Sequence, residues 1–385
     1  MLASGVLASN IPDFDFIAGF SGGDRRLLYL LEHRGFTHTL IVAVALGAIV
    51  GWLCALALRL AATRDRLAVC ALGSAACVLH VACDLLNDYG VHPLFPFDNH
   101  WYYGDSVFII EPLWLAVMLP LPALFAGSRT GRVLARTLAL ALLALCWFVL
   151  PAGRAAAVSV VQLIAAAFQW KLGPRALPAL GASCAVIAMF ALGSRLAESR
   201  VRLALGSAAP AERVLDVASS PTPADPTCHR ALVVSVDSAE IYRVRLARIQ
   251  LFGSAASCQL LPGQPTAPLT AARLASSEGV AFDSMFAAPA SQLRALSRER
   301  CDAAAMLRFL RVPFWLEQAS GTVLGDLRYD RAPQLEFAER ALTGDCADVG
   351  QWRPWVPPRE DILGYFGAQN GLMPGTPSTD RSKHR

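Results

Sequence analysis

Six side chains in the first quarter of the chain are of the types that bind divalent metal ions. They fall into three short blocks, namely Asp13 and Asp15, His33 and His38, and His80 and Asp84. All three blocks adjoin or lie within long apolar runs. Because ionisable side chains are costly at membrane depth, their presence there usually serves a function. Together the blocks predict a metal centre at one face of a membrane.

The first block is a pair of carboxylates two residues apart, directly after Pro12. Proline fixes φ and tends to end regular structure, so this segment is expected to be irregular. On an irregular segment Asp13 and Asp15 can converge on one cation. The alternative is a solvated turn, since Pro-Asp pairs are common turn formers.

The second block is the sequence His-Arg-Gly-Phe-Thr-His. Its histidines, five residues apart, would point about 140° apart on a helix. One ion can use both only if a helix begins between them or if a loop wraps the ion, and Gly35 makes such a bend cheap. Arg34 is expected either to pair with an acid or to bind an anionic oxygen and stabilise negative charge on a substrate. Thr37 is expected to cap the next helix or to support a ligand. The alternative is that His33, His38 and Arg34 only lie at the membrane interface.

The third block predicts a two-ligand arm. His80 and Asp84 are four residues apart within an apolar run, so a helix would place both on one face. The alternative is a buried ion pair. Two further acids follow an aromatic, proline-rich stretch. Asp105 is a candidate catalytic residue and Glu111 a candidate acceptor for a ligand histidine, unless both are surface or helix-start acids.

These blocks, in this order, resemble a known family. The sequences Ile-Pro-Asp-Phe-Asp, His-Arg-Gly-Phe-Thr-His and His-x-x-x-Asp are similar to those of bacterial membrane-bound predicted metal-dependent hydrolases, which include the YdjM-like inner-membrane proteins. The resemblance covers residues 1 to about 115. It implies a divalent metal ion and hydrolysis without a defined substrate. Members usually begin with an apolar helix carrying a Thr-His pair. Here the chain is expected to open inside that helix, so a misplaced start or a missing ligand would follow.

Composition places much of the N-terminal half in a membrane. Of the 385 residues, 55% are hydrophobic and 17% are charged, whereas a soluble domain has roughly 25% charged residues. Residues 39–197 are mostly apolar, and residues 198–385 carry most of the acids. The predicted fold class is therefore an α-helical polytopic membrane domain of about five or six spans, followed by a small α+β soluble domain.

Six segments approach the roughly 20 apolar residues that a helix needs to cross the hydrocarbon. They are residues 39–61, 67–87, 111–127, 133–150, 155–170 and 176–197. Pro120 and Pro122 are expected to kink the third segment. The fifth segment is short, and it fits a tilted span, a re-entrant piece or part of a longer helix, so that five spans also fit.

The chain is expected to divide near Ala197. Residues 1–197 would form the membrane-embedded hydrolase domain. The Ser- and Pro-rich sequence before residue 230 indicates a linker over residues 198–230. Residues 231–366 would form the α+β domain outside the membrane, and residues 367–385 a disordered tail.

Basic residues predict the orientation, because cytoplasmic loops are enriched in Lys and Arg. The links after the first, third and fifth segments fall on one side, and they contain Arg59, Arg64, Arg66, Arg129, Arg132, Arg136, Lys171 and Arg175. That side is expected to be cytoplasmic, which places the three blocks and the C-terminal part in the periplasm of a bacterial inner membrane. Disulfides form in that compartment, and the C-terminal part has four cysteines, Cys228, Cys258, Cys301 and Cys346.

The sequence therefore predicts a membrane-bound hydrolase that uses a metal-activated water on a phosphoester or lipid-type substrate. The cofactor would be a divalent ion, Zn, Mn or Mg, and the partners would be the bilayer and a small-molecule or lipid substrate. Scattered arginines without an aromatic-basic stripe argue against nucleic acid. No nucleophile elbow, Walker loop or dinucleotide fingerprint occurs. The alternative is a non-enzymatic inner-membrane protein whose His/Asp cluster binds a structural metal or lines an ion path.

Overall fold

The fold consists of a helical N-terminal part and a β-rich C-terminal part, as predicted. The computed structural model describes residues 2–20, 25–260, 269–272, 274, 277–319, 321–330, 337–344 and 353–364. Helices continue up to residue 208, and two antiparallel sheets follow. The predicted fold class, a polytopic helical domain followed by a small α+β domain, is confirmed.

The helices of the N-terminal part are α1 (Leu2–Asn10), α2 (Arg25–Glu32), α3 (Leu40–Ala57), α4 (Thr63–Leu85), α5 (Pro112–Met118), α6 (Pro120–Phe125), α7 (Arg129–Val149), α8 (Ala152–Leu172) and α9 (Ala176–Ala208). Two 3₁₀ helices, Pro12–Phe20 and Phe36–His38, lie on either side of α2. Within the described residues, five helices are long and apolar enough to cross a membrane: α3, α4, α7, α8 and α9.

The third predicted span is broken into two short helices. α5 ends at Met118 and α6 begins at Pro120, so the predicted kink is confirmed. Proline has no N–H to donate to the preceding turn, which explains the break. The fifth predicted span is a continuous 21-residue helix, α8. The sixth, α9, continues past Ala197 to Ala208.

Helices α3 and α4 pack with almost no space between their backbones. A Cβ atom at Gly47 would overlap the carbonyl group of Gly73, and one at Gly51 would overlap the backbone of Val69 and Cys70. Small residues at such positions let membrane helices approach closely. α1 packs against both helices, and its Ala8 is buried in one cluster with Ala43 of α3 and Cys77 of α4. The close contact fixes the ends of α3 and α4 relative to each other.

Helices α5 to α9 form a second group with its own core. This core contains Ala116 of α5, Leu142 of α7, Val158 of α8 and Phe190 of α9. Ala224, at the tip of a hairpin of the C-terminal part, is buried in the same cluster. The C-terminal part is therefore packed directly onto the second helix group.

The C-terminal part contains two antiparallel sheets. The larger has the order β1-β2-β3-β5-β4 and the smaller β6-β7-β8. The strands are β1 (Arg213–Thr222), β2 (Asp225–Val236), β3 (Ile241–Gln250), β4 (Thr270–Ala271), β5 (Val280–Pro289), β6 (Pro313–Gln318), β7 (Gly321–Asp326) and β8 (Glu339–Ala341). Among the described residues, the 3₁₀ helix Ala255–Ser257 and three short α-helices complete it: α10 (Ala290–Glu299), α11 (Cys301–Met306) and α12 (Glu360–Leu363).

The prediction of a linker over residues 198–230 is wrong. Residues 198–208 extend α9, whose Val201 and Leu205 pack on the larger sheet, and β1 and the start of β2 follow. The Ser- and Pro-rich sequence forms an edge strand and its turn. An edge strand tolerates Pro221 because one side of its backbone has no pairing partner. The predicted tail lies outside the described residues.

One disulfide is formed between described cysteines of the C-terminal part, Cys228 and Cys258. Cys301 is also disulfide-bonded, and Cys346 lies outside the described residues. The free cysteines among the described residues are Cys54, Cys70, Cys77, Cys83, Cys146 and Cys184, all of which belong to α3, α4, α7 and α9. The division of cysteines between thiols and disulfides therefore follows the division between spanning helices and the C-terminal part.

The core of the C-terminal part also includes residues from the N-terminal part. Leu27 and Leu30 of α2, together with Tyr89, are buried in one cluster with Leu293 and Phe309. The two parts are thus joined by a shared hydrophobic core. As a result, packing against the C-terminal part stabilises α2 and the loop that follows α4.

Candidate metal centre

Four side chains from the three predicted blocks converge at one point. Asp13, His38, His80 and Asp84 each offer one donor atom, and these four atoms lie within 4.8 Å of one another. We refer to these four residues as the metal centre. Each predicted block contributes at least one residue to it.

The distances between donor atoms fit a small tetrahedral ion. His38 Nε2 lies 3.3 Å from His80 Nε2. Asp84 Oδ2 lies 3.1 and 3.3 Å from these two nitrogens, and Asp13 Oδ1 lies 3.5 and 3.4 Å from them. Zinc bonds of about 2.0–2.1 Å in a tetrahedron imply ligand separations of about 3.3–3.4 Å. The donor set therefore matches zinc in type, and five of its six donor separations match in spacing. The sixth separation, between the carboxylate oxygens of Asp13 and Asp84, is within 4.8 Å.

One donor atom is buried without a hydrogen-bond donor. Asp84 Oδ2 has no aligned hydrogen-bond partner, although two imidazole nitrogens lie near it. A buried polar atom without a partner costs free energy and calls for an explanation such as an ion. A divalent cation among Asp13, His38, His80 and Asp84 would satisfy this oxygen.

Local structure explains how each block delivers its ligands. In α4, His80 and Asp84 share a face through their spacing of four residues, as predicted. The 3₁₀ helix that starts at Pro12 carries both acids of the first block, so they form a structured turn of helix. The second 3₁₀ helix ends at His38, and Thr39 Oγ1 then accepts a hydrogen bond from Val42 N to cap α3. His38 is thereby fixed directly before the N-terminus of α3.

Asp15 supports the metal centre from outside the group of four. Its Oδ1 lies 2.9 Å from His33 Nδ1, and its Oδ2 lies 3.4 Å from His38 Nδ1. Thr37 Oγ1 and the backbone N of Arg34 donate to Oδ2 at 2.7 and 3.1 Å. Carboxylates that hold the second nitrogen of a ligand histidine fix its tautomer and orientation. Asp15 and His33 were predicted as ligands, whereas this geometry makes them supporting residues.

The electrostatics of the metal-free site are those of carboxylates stabilised by imidazolium. Hydrogen bonds from His38 and His80 hold the pKa of Asp13 far below its usual range. Burial alone would raise the pKa of Asp15, but hydrogen bonds from His33, His38 and Thr37 bring it well below its usual range. Burial alone would lower the pKa of His38, but the neighbouring carboxylates of Asp13, Asp15 and Asp84 raise it to about 10. A proton therefore occupies His38 where a cation would bind.

Arg34 holds Asp84 in place. Its Nη2 lies 2.8 Å from Asp84 Oδ1, and its Nη1 donates to Asn87 Oδ1 at 2.9 Å. The guanidinium stacks over the Tyr89 ring at 4.6 Å, and the residue is 5% exposed. Arg34 was predicted to pair with an acid or to bind an anionic oxygen of the substrate. Its guanidinium pairs with Asp84 and Asn87, which is the first of these two arrangements.

The other three predicted residues have different outcomes. Asp105 was predicted to be catalytic, but its carboxylate pairs with Arg311 of the C-terminal part at 2.7 and 2.8 Å. Glu111 was predicted as an acceptor for a ligand histidine or as a helix-start acid, and it has the second role, because it caps α5 and also accepts from Ala224 N at 3.2 Å. Neither acid is brought to the metal centre. Thr37 does not cap α3, but its Oγ1 donates to Asp15 and lies 3.0 Å from His38 Nδ1, in agreement with the predicted supporting role.

Two residues that sequence reasoning missed, His92 and Trp355, pack against the backbone around the second block, residues 33–38. His92 is fully buried and stacks on Trp355, with ring centroids 3.8 Å apart. Burial lowers the pKa of His92 to about 3, and its Nδ1 lies 3.4 Å from Arg34 O. Trp355 Nε1 donates to Leu31 O at 2.9 Å. No local signal marks Trp355, because it lies more than 250 residues away from its partners.

Residues 1–155 match the model of the family described as YdjM inner membrane protein. The match includes the whole metal centre and confirms the predicted resemblance. With the five apolar helices, it supports a multi-pass protein of the inner membrane. No curated protein and no solved structure matches the chain at a significant level.

Proposed function

We propose that this chain is a metal-dependent hydrolase embedded in the bacterial inner membrane. The observation that carries the proposal is the convergence of Asp13, His38, His80 and Asp84 with the spacing of a tetrahedral ligand set. Two imidazoles and two carboxylates are a donor set that suits zinc. The set lies at the ends of spanning helices, where water and lipid headgroups meet.

A divalent cation that takes three of these residues as ligands would keep a position for water. It would lower the pKa of that water and polarise the bond to be broken. The residues around it set the geometry. Asp15 and Thr37 hold the Nδ1 side of His38, so that its Nε2 faces the metal centre. Arg34 holds Oδ1 of Asp84, so that Oδ2 faces the metal centre. Positioning of this kind keeps ligands ready for the ion without rearrangement.

The proposed reaction is the hydrolysis of an ester. The oxygen of water forms a bond to the phosphorus or carbonyl carbon, and the bond to the ester oxygen breaks. One proton of the water goes to the released alcohol, and the released acid loses its proton to solvent. Asp13 is the most exposed of the four residues, with half of its side chain accessible. It is therefore the side chain best placed to contact the incoming group.

We also propose that the metal centre and the C-terminal part lie on the periplasmic side. Contacts such as Trp355 to Leu31 support their location on one face of the membrane. The basic links between spans predict that the opposite face is cytoplasmic. The disulfide Cys228–Cys258 is typical of an oxidising compartment.

The test compares Asp84→Asn with Asp65→Asn, an exposed acid on the same helix. Protein purified in detergent is analysed for bound metal and screened against phosphomonoesters, phosphodiesters and carboxylic esters. We expect stoichiometric metal and ester turnover in wild type and Asp65→Asn, with loss of both in Asp84→Asn. Bound metal without any turnover would favour a structural metal, and absence of metal in the wild type would refute the proposal.

A further inference from the structure

A cavity of about 220 Å³ lies where the two parts of the chain meet. The N-terminal part contributes residues 100, 101 and 103 to its lining, and the C-terminal part contributes residues of β1, residue 311 and the segment 356–360. Of the described residues that line the cavity, none belongs to the metal centre. The cavity is therefore a second candidate site, separate from the metal centre.

One part of the lining is apolar. The rings of Trp101 and Tyr103 lie nearly parallel, with an angle of 17° between their planes, and Leu215, Val356 and Pro357 add aliphatic surface. Sites for drug-sized ligands have volumes of roughly 300–1,000 Å³. This cavity is smaller, so its size suits a molecule with a single ring. Aromatic side chains bury large apolar areas and favour contacts with other rings.

Two buried arginines also line the cavity, and they differ in how many of their donors are used. Arg311 is 4% exposed, and all three of its nitrogens donate to Asp105 or Asp216. Arg359 is 6% exposed, and it donates from Nε to Pro358 O at 2.9 Å and from Nη2 to Asp216 Oδ2 at 3.3 Å. Its Nη1 is buried and has no hydrogen-bond acceptor.

The unused donors of Arg359 indicate what kind of ligand the cavity suits. A guanidinium has five N–H donors, two of which are on Nη1. Buried donors without an acceptor cost free energy and call for an explanation. The acceptor that a guanidinium binds most strongly is an anionic oxygen such as that of a carboxylate. Tyr103 also keeps a buried hydroxyl group without a partner, so two residues of the lining have an unused polar atom.

The charges of the lining favour an anion. Burial alone would lower the pKa of His100, but the neighbouring carboxylates of Asp98 and Glu360 raise it, which favours the imidazolium form. The lining then has two arginines and one imidazolium against two acids, Asp216 and Glu360. Because both acids already pair with cations of the lining, the excess charge that a ligand meets is positive.

We propose that this cavity binds a small aromatic carboxylate. The carboxylate would accept hydrogen bonds from Arg359, and the ring would pack against Trp101 and Pro357. Such a ligand would touch both parts of the chain, so its binding should stabilise the folded protein. The inference is independent of the hydrolase function, because the metal centre is not part of the cavity.

The first experiment uses benzoate as the probe and benzamide, an uncharged molecule of the same shape, as its matched control. Thermal unfolding of the full chain in detergent is measured with each compound, and isothermal titration calorimetry gives each Kd. We expect benzoate to raise the Tm and to bind at least tenfold more tightly than benzamide. Equal affinities, or no binding of benzoate, would overturn the inference. Equal stabilisation by inorganic phosphate would overturn the assignment to an aromatic ligand.

The second experiment removes the unused donors. Arg359→Gln should bind benzoate at least tenfold more weakly than the wild type and should no longer distinguish it from benzamide. Arg213→Gln is the control, because Arg213 lines a different cavity of the C-terminal part, of about 450 Å³. This control should bind benzoate as the wild type does. Undiminished binding of benzoate by Arg359→Gln would refute the proposed role of the guanidinium.

The third experiment needs no variant, since the loss of Arg359 also removes a partner of Asp216 and lowers stability. The wild-type protein is irradiated with 4-azidobenzoate, and the adducts are located by mass spectrometry. We expect adducts within residues 101–103 and 356–358, and we expect excess benzoate to suppress them at least tenfold more than excess benzamide does. Adducts confined to other residues, or equal suppression by the two compounds, would contradict the proposal.

Discussion

Residues at the metal centre have one of two roles. Some offer a donor atom, and others orient a side chain that offers one. Asp15 illustrates the second role, because its two oxygens accept hydrogen bonds from His33 and Thr37, and it is not among the four residues that offer a donor atom. His38 depends on it for the orientation of its ring. The spacing of the first block does not distinguish Asp13 from Asp15, whereas their partners do.

Asp15→Asn should weaken metal binding while leaving the ligand set complete. An amide cannot accept from both His33 and Thr37 in the same way, so the His38 ring loses its fixed tautomer. Partners of this kind are typically worth about 10–100-fold in metal affinity. Competition titration with a zinc chelator measures the loss. Asp98→Asn, which removes a carboxylate from a surface histidine, His100, is the control and should leave affinity unchanged.

Metal affinity should rise with pH, because a cation has to displace a proton from His38. The pKa of this histidine is raised to about 10 in the metal-free site, so the imidazole is protonated at neutral pH. Each proton released makes the apparent affinity about tenfold tighter per pH unit below that pKa. Calorimetric titration in buffers of different ionisation enthalpy counts the protons. Affinity that is equal at pH 6 and pH 8 would contradict the prediction.

Helix packing explains why the ligands of separate blocks stay together. α3 begins just after His38 and α4 carries His80, and the two helices meet through glycines without side chains. A metal centre built on these helix ends depends on contacts that lie several turns away from it. The consequence can be tested at a residue remote from the donor atoms.

Gly47→Ala should destabilise the protein and loosen the metal centre, because its Cβ would overlap the backbone of Gly73. Overpacking of this kind typically costs about 1–3 kcal/mol. The matched control is Gly181→Ala on α9, where a Cβ meets no atom within 4 Å. Thermal unfolding in one detergent should show a lower Tm for the first variant and an unchanged or higher Tm for the control. Equal Tm values would show that the close contact is not maintained in solution.

The elements differ in how far their roles can be predicted from sequence. The placement of His80 and Asp84 on one face of a helix follows from helical periodicity, and the structure has both on the same face of α4. The helix cap is Thr39, two residues after the expected Thr37, and its position depends on where the 3₁₀ helix ends. The packing of Trp355 behind the second block depends on a contact between distant parts of the chain. Local pattern contains no information about such a contact.

Trp355→Leu should reduce metal affinity by about tenfold or more, an effect of the size seen when a ligand's support is lost. The indole fills the space beside Gly35 and stacks on His92, so its loss frees the loop that carries His38. Trp315→Leu is the control, since Trp315 is also buried in the C-terminal core, where it donates to Gln292. Both variants should lower the Tm, but only Trp355→Leu should lower the affinity. Equal affinities in the two variants would contradict the prediction.

At the scale of the whole molecule, buried charges join the two parts of the chain. Arg311 of the C-terminal part pairs with Asp105 after α4 and with Asp216 of β1. Arg328 donates to the carbonyl of Tyr89. Removing one partner of a buried pair leaves a charge without compensation and is strongly destabilising. The C-terminal part is therefore held in one position over the loops that support the metal centre.

Because the C-terminal part is fixed next to the metal centre, the side of the membrane on which it lies is also the side of the metal centre. A reporter fused after Leu363 shares a side with the C-terminal part, and a reporter fused after Gly127 lies in the link between α6 and α7. Because that link and its neighbours are basic, we expect it in the cytoplasm. Alkaline phosphatase, which needs disulfides, should be active after residue 363 and inactive after residue 127, and a fluorescent protein that folds only in the cytoplasm should give the opposite result. The reverse pattern would place the metal centre at the cytoplasmic face and would contradict the prediction.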